Sequence, residues 1–397
     1  MIDYAASITR NSKTRQGNGY TDSWTPEPGT HGSRRATQGR HMINVGIVGT
    51  SWWADEMYLP ALKNHPEAKV VAVCGRDPLR TQQFAEKWGV PDFYHDYQAL
   101  ITSGKIEALI VATLNETHYP ITMAALDAGL HVLCEKPLAI TYAQAQEMTE
   151  KAAAAGVNTM VAFTHRYMPT TRYLRQLLDS GYIGKPYTLN MRYYSGGARK
   201  PGYKWKNDKS RPGAGVLYDL GSHWLHLARW FYGEITGLTC YMDAILTHEG
   251  HESADDMATM TVKFANGAMG ILTVGRLGWE GNKPGQTQQM DFHGSDGTLY
   301  LTLDWDTVQQ IRGVKDGSMG VEALPVPESI WQGARQDTVM NTRDDVFYTQ
   351  HVMAREFFSD IAAGRPSYPD FAEGARVQQL IEAAVHSAVN GCCWVRV

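Results

Sequence analysis

Short apolar runs without polar alternation recur between residues 43 and 163, and stretches of helical periodicity separate them. Strands that lack alternation are buried on both faces, which is typical of a parallel sheet covered by helices. The predicted strands lie at 43–49, 68–75, 92–95, 106–113, 131–137 and 158–163, and the predicted helices at 53–65, 78–88, 96–103, 117–128 and 141–155. The pattern therefore predicts a doubly wound α/β domain over residues 42–165.

The pattern changes after residue 240, where strand-like runs are joined by short turns. The run 258–274 has two halves around Asn266-Gly267, and the run 290–303 repeats this design with a turn at 295–297. Because hairpins join antiparallel strands, we predict a second α/β domain over 166–397, built on an open, mostly antiparallel sheet with helices on one face. An amphipathic helix is predicted over 373–390.

Residues 1–41 differ from the remainder in composition. They are rich in Ser, Thr, Gly, Asn and Arg and show no apolar periodicity. The pair Arg34-Arg35 is followed by polar residues, whereas a twin-arginine export signal needs an apolar stretch there. We interpret this segment as a disordered leader, a cloning remnant or a mis-assigned start, with Met42 as an alternative start.

Composition and charge exclude several function classes. The chain has 397 residues with 43% hydrophobic and 20% charged content, which suits two globular domains, and its net charge of −4 gives no basic surface for nucleic acid. No apolar run approaches the roughly 18 residues needed to span a bilayer. The cysteines Cys74, Cys134, Cys240, Cys392 and Cys393 lack metal-site spacing. We therefore expect reduced thiols, no metal and a cytoplasmic location.

The turn after the first predicted strand reads GIVGTSWWA at 46–54. Aligned with the dinucleotide motif G-x-G-x-x-G/A, Gly49 makes the tight turn, Ser51 replaces the second glycine, and Ala54 is the small third residue. The motif is weak as a bare pattern, but its place on the first strand of a parallel sheet strengthens it, because a helix N-terminus there binds pyrophosphate. The predicted cofactor contacts are Gly49, Thr50, Ser51, Trp52 and Trp53.

The tip of the second strand carries Gly75 and Arg76, where an NAD site usually has an acid for the ribose 2′-hydroxyl. Arg76 either pairs with a 2′-phosphate or is an ordinary solvated loop cation, so the sequence favours NADP over NAD only modestly. Further along the same edge, Thr113 and Asn115 are placed to contact ribose or nicotinamide, and His118 either faces the cofactor or simply lies in the first turn of the next helix. Thr and Asn are also common turn and helix-cap residues.

Glu135 and Lys136, within VLCEKPLA, follow the next strand at this edge. A buried ammonium is costly unless it is paired, so Lys136 either forms a salt bridge with Glu135 or serves chemistry beside the nicotinamide. Asp219 and His223 stand at positions i and i+4 of a later predicted helix. His223 alone is more readily explained as a core histidine. A Lys, an Asp and a His beside a nucleotide site nevertheless form an acid–base set for alcohol oxidation.

These motifs together resemble the Gfo/Idh/MocA oxidoreductase family over residues 42–391. The resemblance rests on the GIVGTSWWA turn, CEKP, the D-x-G-x-H segment, and the late pairs Arg365-Pro366 and Glu373-Gly374 at the entry to the last helix. It implies an N-terminal Rossmann domain and NAD(P)-dependent oxidation or reduction at a hydroxyl of a sugar, sugar derivative or cyclitol. It also implies a homo-oligomer joined through the open sheet.

The resemblance places the family's catalytic residues on Lys136, Asp219 and His223. We expect His223 to transfer the proton and Lys136 to orient and polarise the substrate oxygen, or the two roles to be exchanged. Two departures from the family pattern are Ser51 in place of glycine and His226 where aspartate is frequent. The predicted substrate contacts are His165, Arg166, Trp205, Asp219 and His223. Of the neighbouring strand residues 193 and 194, only one can face the cleft.

Two other functions stay open at this point. The first is a glycosidase that keeps its NAD bound and recycles it, since the redox residues would be shared. The second is a non-catalytic sensor that binds nucleotide and a partner protein. Intact Lys136, Asp219 and His223 argue against the sensor, and the sequence predicts neither a nucleic-acid nor a membrane partner.

Overall fold

The computed structural model describes residues 41–279, 285–305, 307–349 and 352–397. Apart from its last residue, the segment interpreted as a leader lies outside these described residues. None of the helices within the described ranges combines the length and hydrophobicity needed to cross a membrane.

The first sheet, as far as the chain is described, has six strands in the order β3-β2-β1-β4-β5-β6, and every pair is parallel. This confirms the predicted doubly wound sheet, with all six strands where the apolar runs indicated. The strands are β1 (Ile43–Val48), β2 (Ala68–Cys74), β3 (Asp92–Tyr94), β4 (Ala108–Val111), β5 (His131–Cys134) and β6 (Thr159–Val161).

Helices connect these strands and cover both faces of the sheet. The connection after β1 begins with a wider π-helical turn at Ala54–Tyr58 and continues as α1. The five helices of this half are α1 (Leu59–Leu62), α2 (Pro78–Trp88), α3 (Tyr97–Ile101), α4 (Asn115–Asp127) and α5 (Tyr142–Ala155). Side chains define their starts: the Asp77 carboxylate accepts from a backbone N–H of α2, and Thr141 and Gln144 form a capping box on α5.

The second sheet has nine strands in the described residues, in the order β14-β13-β12-β11-β7-β10-β9-β8-β15. Its pairs are antiparallel except for β7 with β10, which confirms a mostly antiparallel sheet. Both predicted hairpins form. The strands are β7 (Pro186–Ser195), β8 (Ile235–Asp243), β9 (Met257–Phe264), β10 (Met269–Gly275), β11 (Gln286–Gly294), β12 (Gly297–Asp304), β13 (Val308–Lys315), β14 (Glu322–Ala323) and β15 (Val395–Arg396).

Burial alternates along these strands, so the second sheet has one covered face and one open face. On β10, Met269 and Ile271 are each 48% exposed, whereas Leu272 and Val274 are fully buried. The helices of this half are α6 (Pro169–Asp179), α7 (Ser222–Tyr232), α8 (Glu328–Trp331), α9 (Val339–Val346), α10 (Met353–Ala363) and α11 (Phe371–Val389). Helix α11 packs against both β8 and α5, and so joins the two halves of the described chain.

A buried ion network fixes α7 against α11. The Glu373 carboxylate accepts from Arg229 at 3.0 and 3.2 Å and lies 3.0 Å from His226 Nδ1. Burial alone would raise the pKa of Glu373, but His226 and Arg229 lower it to about 2. His226, singled out as a departure from the family pattern, therefore binds another helix of the protein and lines neither of the cavities described below.

We predict that Gly49→Ala lowers the free energy of unfolding by about 1–3 kcal/mol, since the turn after β1 needs a residue without a side chain. Gly49 has φ +117°, and an added Cβ would lie 2.2 Å from the carbonyl oxygen of Ala112. Chemical denaturation measures the change. Gly320→Ala is the matched control, because no described atom lies within 4 Å of its Cβ position. Equal stability of the two variants would contradict the prediction.

Candidate active site

The described residues enclose two adjoining cavities at the carboxyl edge of the first sheet, with volumes of about 700 Å³ and 300 Å³. The larger follows the ends of β1, β2, β4 and β5, and the smaller lies between that edge and the second sheet. Of the described residues, those that line both are Trp53, Glu135, Lys136, Lys206 and Asp219. The cavities therefore meet at the side chains for which the sequence predicts chemistry.

Most of the predicted cofactor contacts line the larger cavity. They are Gly49, Thr50, Ser51, Trp53, Gly75, Arg76, Thr113, Asn115, Glu135 and Lys136. The Ser51 hydroxyl donates to the carbonyl oxygen of Ala112 at 3.2 Å. Trp52 is an exception: its side chain is 54% exposed and borders the smaller cavity.

The end of the larger cavity beyond β2 carries two arginines. Arg76 and Arg80 both line it, and Arg80 Nη2 donates to the carbonyl oxygen of Thr50 at 2.7 Å. Asp77 does not line it, because its carboxylate caps α2 and accepts from the Arg80 N–H at 2.9 Å. Asp96 does line it, and its carboxylate is also used to cap α3. Among the described residues, two arginines therefore line this end of the larger cavity, whereas the acid that lines it, Asp96, is already used as a helix cap.

The prediction that His118 contacts the cofactor needs a correction, because His118 lines neither cavity. Its side chain is fully buried, with Nδ1 2.8 Å from the carbonyl oxygen of Pro137 and Nε2 3.3 Å from that of Thr113. His118 therefore ties the loop after β4 to the loop after β5. Asn115 also links segments: its Nδ2 donates to the carbonyl oxygen of Gly213 at 3.1 Å while the residue borders the larger cavity.

Lys136 is paired, but with Asp219 and not with its neighbour Glu135. Lys136 Nζ donates to Asp219 Oδ1 at 2.8 Å and to the Asp219 carbonyl oxygen at 3.0 Å, and the two side chains are only 11% and 12% exposed. Glu135 instead accepts from the Tyr58 hydroxyl at 2.7 Å. Burial raises the pKa of Glu135. The salt bridge between Lys136 and Glu135 that the sequence left open is absent from these described residues.

Asp219 lies in a second π-helical turn, Leu217–Gly221, which leads into α7. The same carboxylate oxygen that binds Lys136 also accepts from Lys206 Nζ at 2.6 Å. Burial alone would raise the pKa of Asp219, but Lys136, Lys206 and then Arg276 hold it well below its ordinary value. The carboxylate is therefore ionised across the neutral range and fixes both ammonium groups.

His223, one turn later, lines the smaller cavity and is 5% exposed. Its Nδ1 has no hydrogen-bond partner among the described residues, and its ring lies 4.6 Å from that of His165. Burial, followed by the charge of Lys136, lowers the pKa of His223 well below 6.5. Burial and Lys136 also lower the pKa of His165, to about 3. Both imidazoles are neutral at pH 7, so His223 has a ring nitrogen that can accept a hydrogen bond.

Two of the predicted substrate contacts lie elsewhere. Arg166 borders neither cavity; its guanidinium carbon lies 4.6 Å and 4.7 Å from the ring centres of Tyr368 and Trp230. Trp205 begins the 3₁₀ turn that also contains Lys206, and it lines the larger cavity but not the smaller one. His165, Asp219 and His223 do border the smaller cavity, as does Tyr193 of the pair considered for its wall.

Comparison with known proteins decides the family. A family model described as an oxidoreductase family with an NAD-binding Rossmann fold matches residues 43–163, and the GFO/IDH/MocA C-terminal domain model matches residues 171–300. The chain belongs to the Gfo/Idh/MocA oxidoreductase family. It is an oxidoreductase, and its first domain is an NAD-binding domain.

Individual relatives cover most of this Gfo/Idh/MocA chain. Levoglucosan dehydrogenase of Pseudarthrobacter phenanthrenivorans is 26% identical over 89% of this chain and 98% of its own length. Myo-inositol 2-dehydrogenase of Thermotoga maritima is 27% identical over 65% of this chain and 73% of its own. A structure of levoglucosan dehydrogenase in complex with NADH and levoglucosan has a TM-score of 0.79 at 23% identity, covering 90% of this chain and all of that one. That likeness shows a shared fold.

Sequence reasoning missed three cations of this Gfo/Idh/MocA site. Lys206 shares the Asp219 carboxylate, and Arg276 Nη1 donates to the Lys206 carbonyl oxygen at 3.2 Å. Arg343, from α9, borders the smaller cavity with Arg276. The segment YKWKND around Lys206 carries no motif, and β10 and α9 lie far from it in sequence, so no local signal indicated these residues.

We predict that Lys206→Met lowers kcat/KM by roughly a hundredfold, because Asp219 would then orient Lys136 without its second partner. Lys136 would still pair with the carboxylate, so the protein should fold. Steady-state kinetics measure the change once a substrate is known, and circular dichroism checks the fold. Lys204→Met is the matched control, since Lys204 is exposed and borders neither cavity. Equal activity of the two variants would contradict a positioning role.

Proposed function

We propose that this oxidoreductase is an NAD(P)-dependent dehydrogenase that transfers hydride between nicotinamide and a hydroxyl or keto group of a sugar, sugar derivative or cyclitol. The observation that carries the proposal is the junction of the two cavities, where Lys136 is fixed by Asp219 beside a neutral His223. The relatives named for levoglucosan and myo-inositol support this substrate class, because both compounds are polyhydroxylated rings.

The larger cavity fits a nicotinamide dinucleotide. Its length along four strand ends, the Cβ-free turn at Gly49 and the nearby glycine at 75 allow a close approach of a pyrophosphate to the backbone. Gly49, Thr50, Ser51 and Trp53 would hold the pyrophosphate. Thr113, Asn115 and Lys136 would hold the nicotinamide half. When bound, the nicotinamide supplies the hydride acceptor or donor.

Substrate would lie in the smaller cavity, with its reacting oxygen near Lys136 and His223. The Lys136 ammonium is held by Asp219 and has donor capacity left over, so it can orient and polarise that oxygen. The neutral His223 imidazole can take the hydroxyl proton during oxidation and return it during reduction. His165, whose ring lies against that of His223, would restrict the position of that ring.

The preferred cofactor that we propose is NADP. Arg76 and Arg80 both line the cavity end where the adenosine ribose would lie, and the strand tip holds a glycine in place of an acid. Asp96 is the acid nearest this end, and two backbone N–H groups of α3 already bind it. Asp77 is committed to capping α2. The charge balance therefore favours a 2′-phosphate over a 2′-hydroxyl.

We also propose a homo-oligomer formed through the open face of the second sheet. Ile271, Met269 and Tyr241 lie on that face and are 48%, 48% and 53% exposed. Tyr241 of β8 pairs with Thr259 of β9, and Thr259 pairs with Thr273 of β10, so these three residues lie on the same face of the sheet. Ile271 and Met269 precede Thr273 by two and four positions on β10, so they lie on that face as well. Apolar residues grouped on one sheet face mark an interaction surface.

Incubation of the purified protein with NADP⁺ or NAD⁺ and a panel of sugars, sugar acids and cyclitols tests the proposed function. We expect multiple turnovers of reduced nicotinamide with at least one compound, and loss of about 10²- to 10⁴-fold in kcat on Lys136→Ala, because the oxygen loses its oriented donor. Full activity of Lys136→Ala would exclude the proposed role of Lys136. Cleavage of aryl glycosides without net cofactor reduction would instead identify a glycosidase, and nucleotide binding without either activity a sensor.

A second prediction concerns the choice of cofactor. Arg76→Ala should raise the KM for NADP⁺ about tenfold or more and leave that for NAD⁺ within about twofold, because a charge-assisted contact to the 2′-phosphate is lost. Lys69→Ala, an exposed residue at the other end of the same strand, is the control. An equal effect on both cofactors would show that Arg76 does not read the 2′-position.

A further inference from the structure

The smaller cavity is rich in positive charge. Among the described residues that line it, Lys136, Lys206, Arg276 and Arg343 are cations, and only Glu135 and Asp219 are acids. Its histidines are neutral, because burial lowers their pKa values. The cavity wall therefore carries more positive than negative charge even when both acids are ionised.

Three of these cations already have oxygen partners in the protein. Lys136 and Lys206 donate to the Asp219 carboxylate. Arg276 donates to a backbone carbonyl oxygen. The remaining cation, Arg343, makes no hydrogen bond or salt bridge with any residue in the described ranges, and its Nε is buried without a partner.

Indole rings surround the Arg343 guanidinium. Its central carbon lies 5.5 Å from the ring centres of Trp52 and Trp53 and 5.9 Å from that of Trp305. These rings stabilise the cation and supply no oxygen acceptor for its N–H groups. Asp344 is near enough to act on the charge, but it does not accept a hydrogen bond from the guanidinium. Burial lowers the pKa of Arg343, which still leaves it charged.

Arg343 is partly exposed and borders the cavity, so its guanidinium, unpaired among the described residues, is available to bind an anion from the ligand. Resting on the proposed dehydrogenase function, we propose that the substrate carries a carboxylate that binds Arg343, and is thus a sugar acid of the uronate class. A planar carboxylate matches one guanidinium fork.

The test is a binding measurement that does not depend on turnover. The NADH-loaded protein is titrated calorimetrically with matched sets of a neutral sugar, its uronic acid and its 6-phosphate: the glucose, galactose and mannose series. We expect at least one uronate to bind tenfold or more tightly than its neutral partner. Steady-state kcat/KM for the same compounds, measured in the oxidation direction, should show the same order.

Variants at Arg343 separate charge recognition from a structural role. Arg343→Gln should remove the preference for the acid and reduce the affinity for the neutral sugar far less, and Arg343→Lys should restore part of the preference. Arg312→Gln, on β13 and away from both cavities, should leave the preference unchanged. Thermal melting of each variant shows whether it is folded.

Each outcome is decisive for the carboxylate. The proposed substrate carboxylate is overturned if the neutral sugar binds as tightly as or more tightly than its uronate in every set, or if no uronate binds. It is also overturned if the phosphate ester binds more tightly than the uronate. A preference that survives in Arg343→Gln would overturn the assignment of Arg343. The dehydrogenase proposal fails separately, when a bound sugar or acid produces no cofactor reduction.

Discussion

Two ammonium groups share one buried carboxylate oxygen, and the geometry of both cavities depends on that arrangement. Lys136 comes from the end of β5, Lys206 from the loop after β7, and Asp219 from the turn that leads into α7. Three distant segments thus meet at one atom. Removing either lysine alone leaves the acid one partner, whereas removing the acid leaves Lys136, 11% exposed, and Lys206, 32% exposed, without this counter-charge. A buried charge without its partner is strongly destabilising, so Asp219 is the least replaceable of the three.

The fold was largely predictable, because local patterns determine it. Apolar runs placed the central strands of the first sheet, such as β4, whose four residues are all buried, since a strand buried on both faces has few polar positions. Asn266-Gly267 located the β9–β10 hairpin for a similar reason, as the turn itself requires those residues. Boundaries were less accurate where a cap decided them: the helix predicted over 96–103 is Tyr97–Ile101, with Asp96 outside it as the N-cap.

The candidate site was predictable only where its residues sit beside a recognisable local pattern. Lys136 and Asp219 belong to short motifs, and the structure brings them together. Lys206 and Arg343 come from segments without any motif, and only tertiary packing brings them to the cavities. The misplacement of Arg166 has the same origin: its position after a strand end indicated the cleft, yet its side chain packs against Trp230 and Tyr368.

The π-helical turn at Leu217–Gly221 also determines how this part of the chain can vary. It contains one residue more than an α-helical turn would, and successive helical residues point about 100° apart. Deleting any one residue of the turn would therefore rotate α7 relative to Asp219 and carry His223 away from the cavity. A substitution at another position of this turn leaves the spacing between Asp219 and His223 unchanged, whereas an insertion or a deletion alters it. The length of the segment, more than its composition, is what natural variation must preserve.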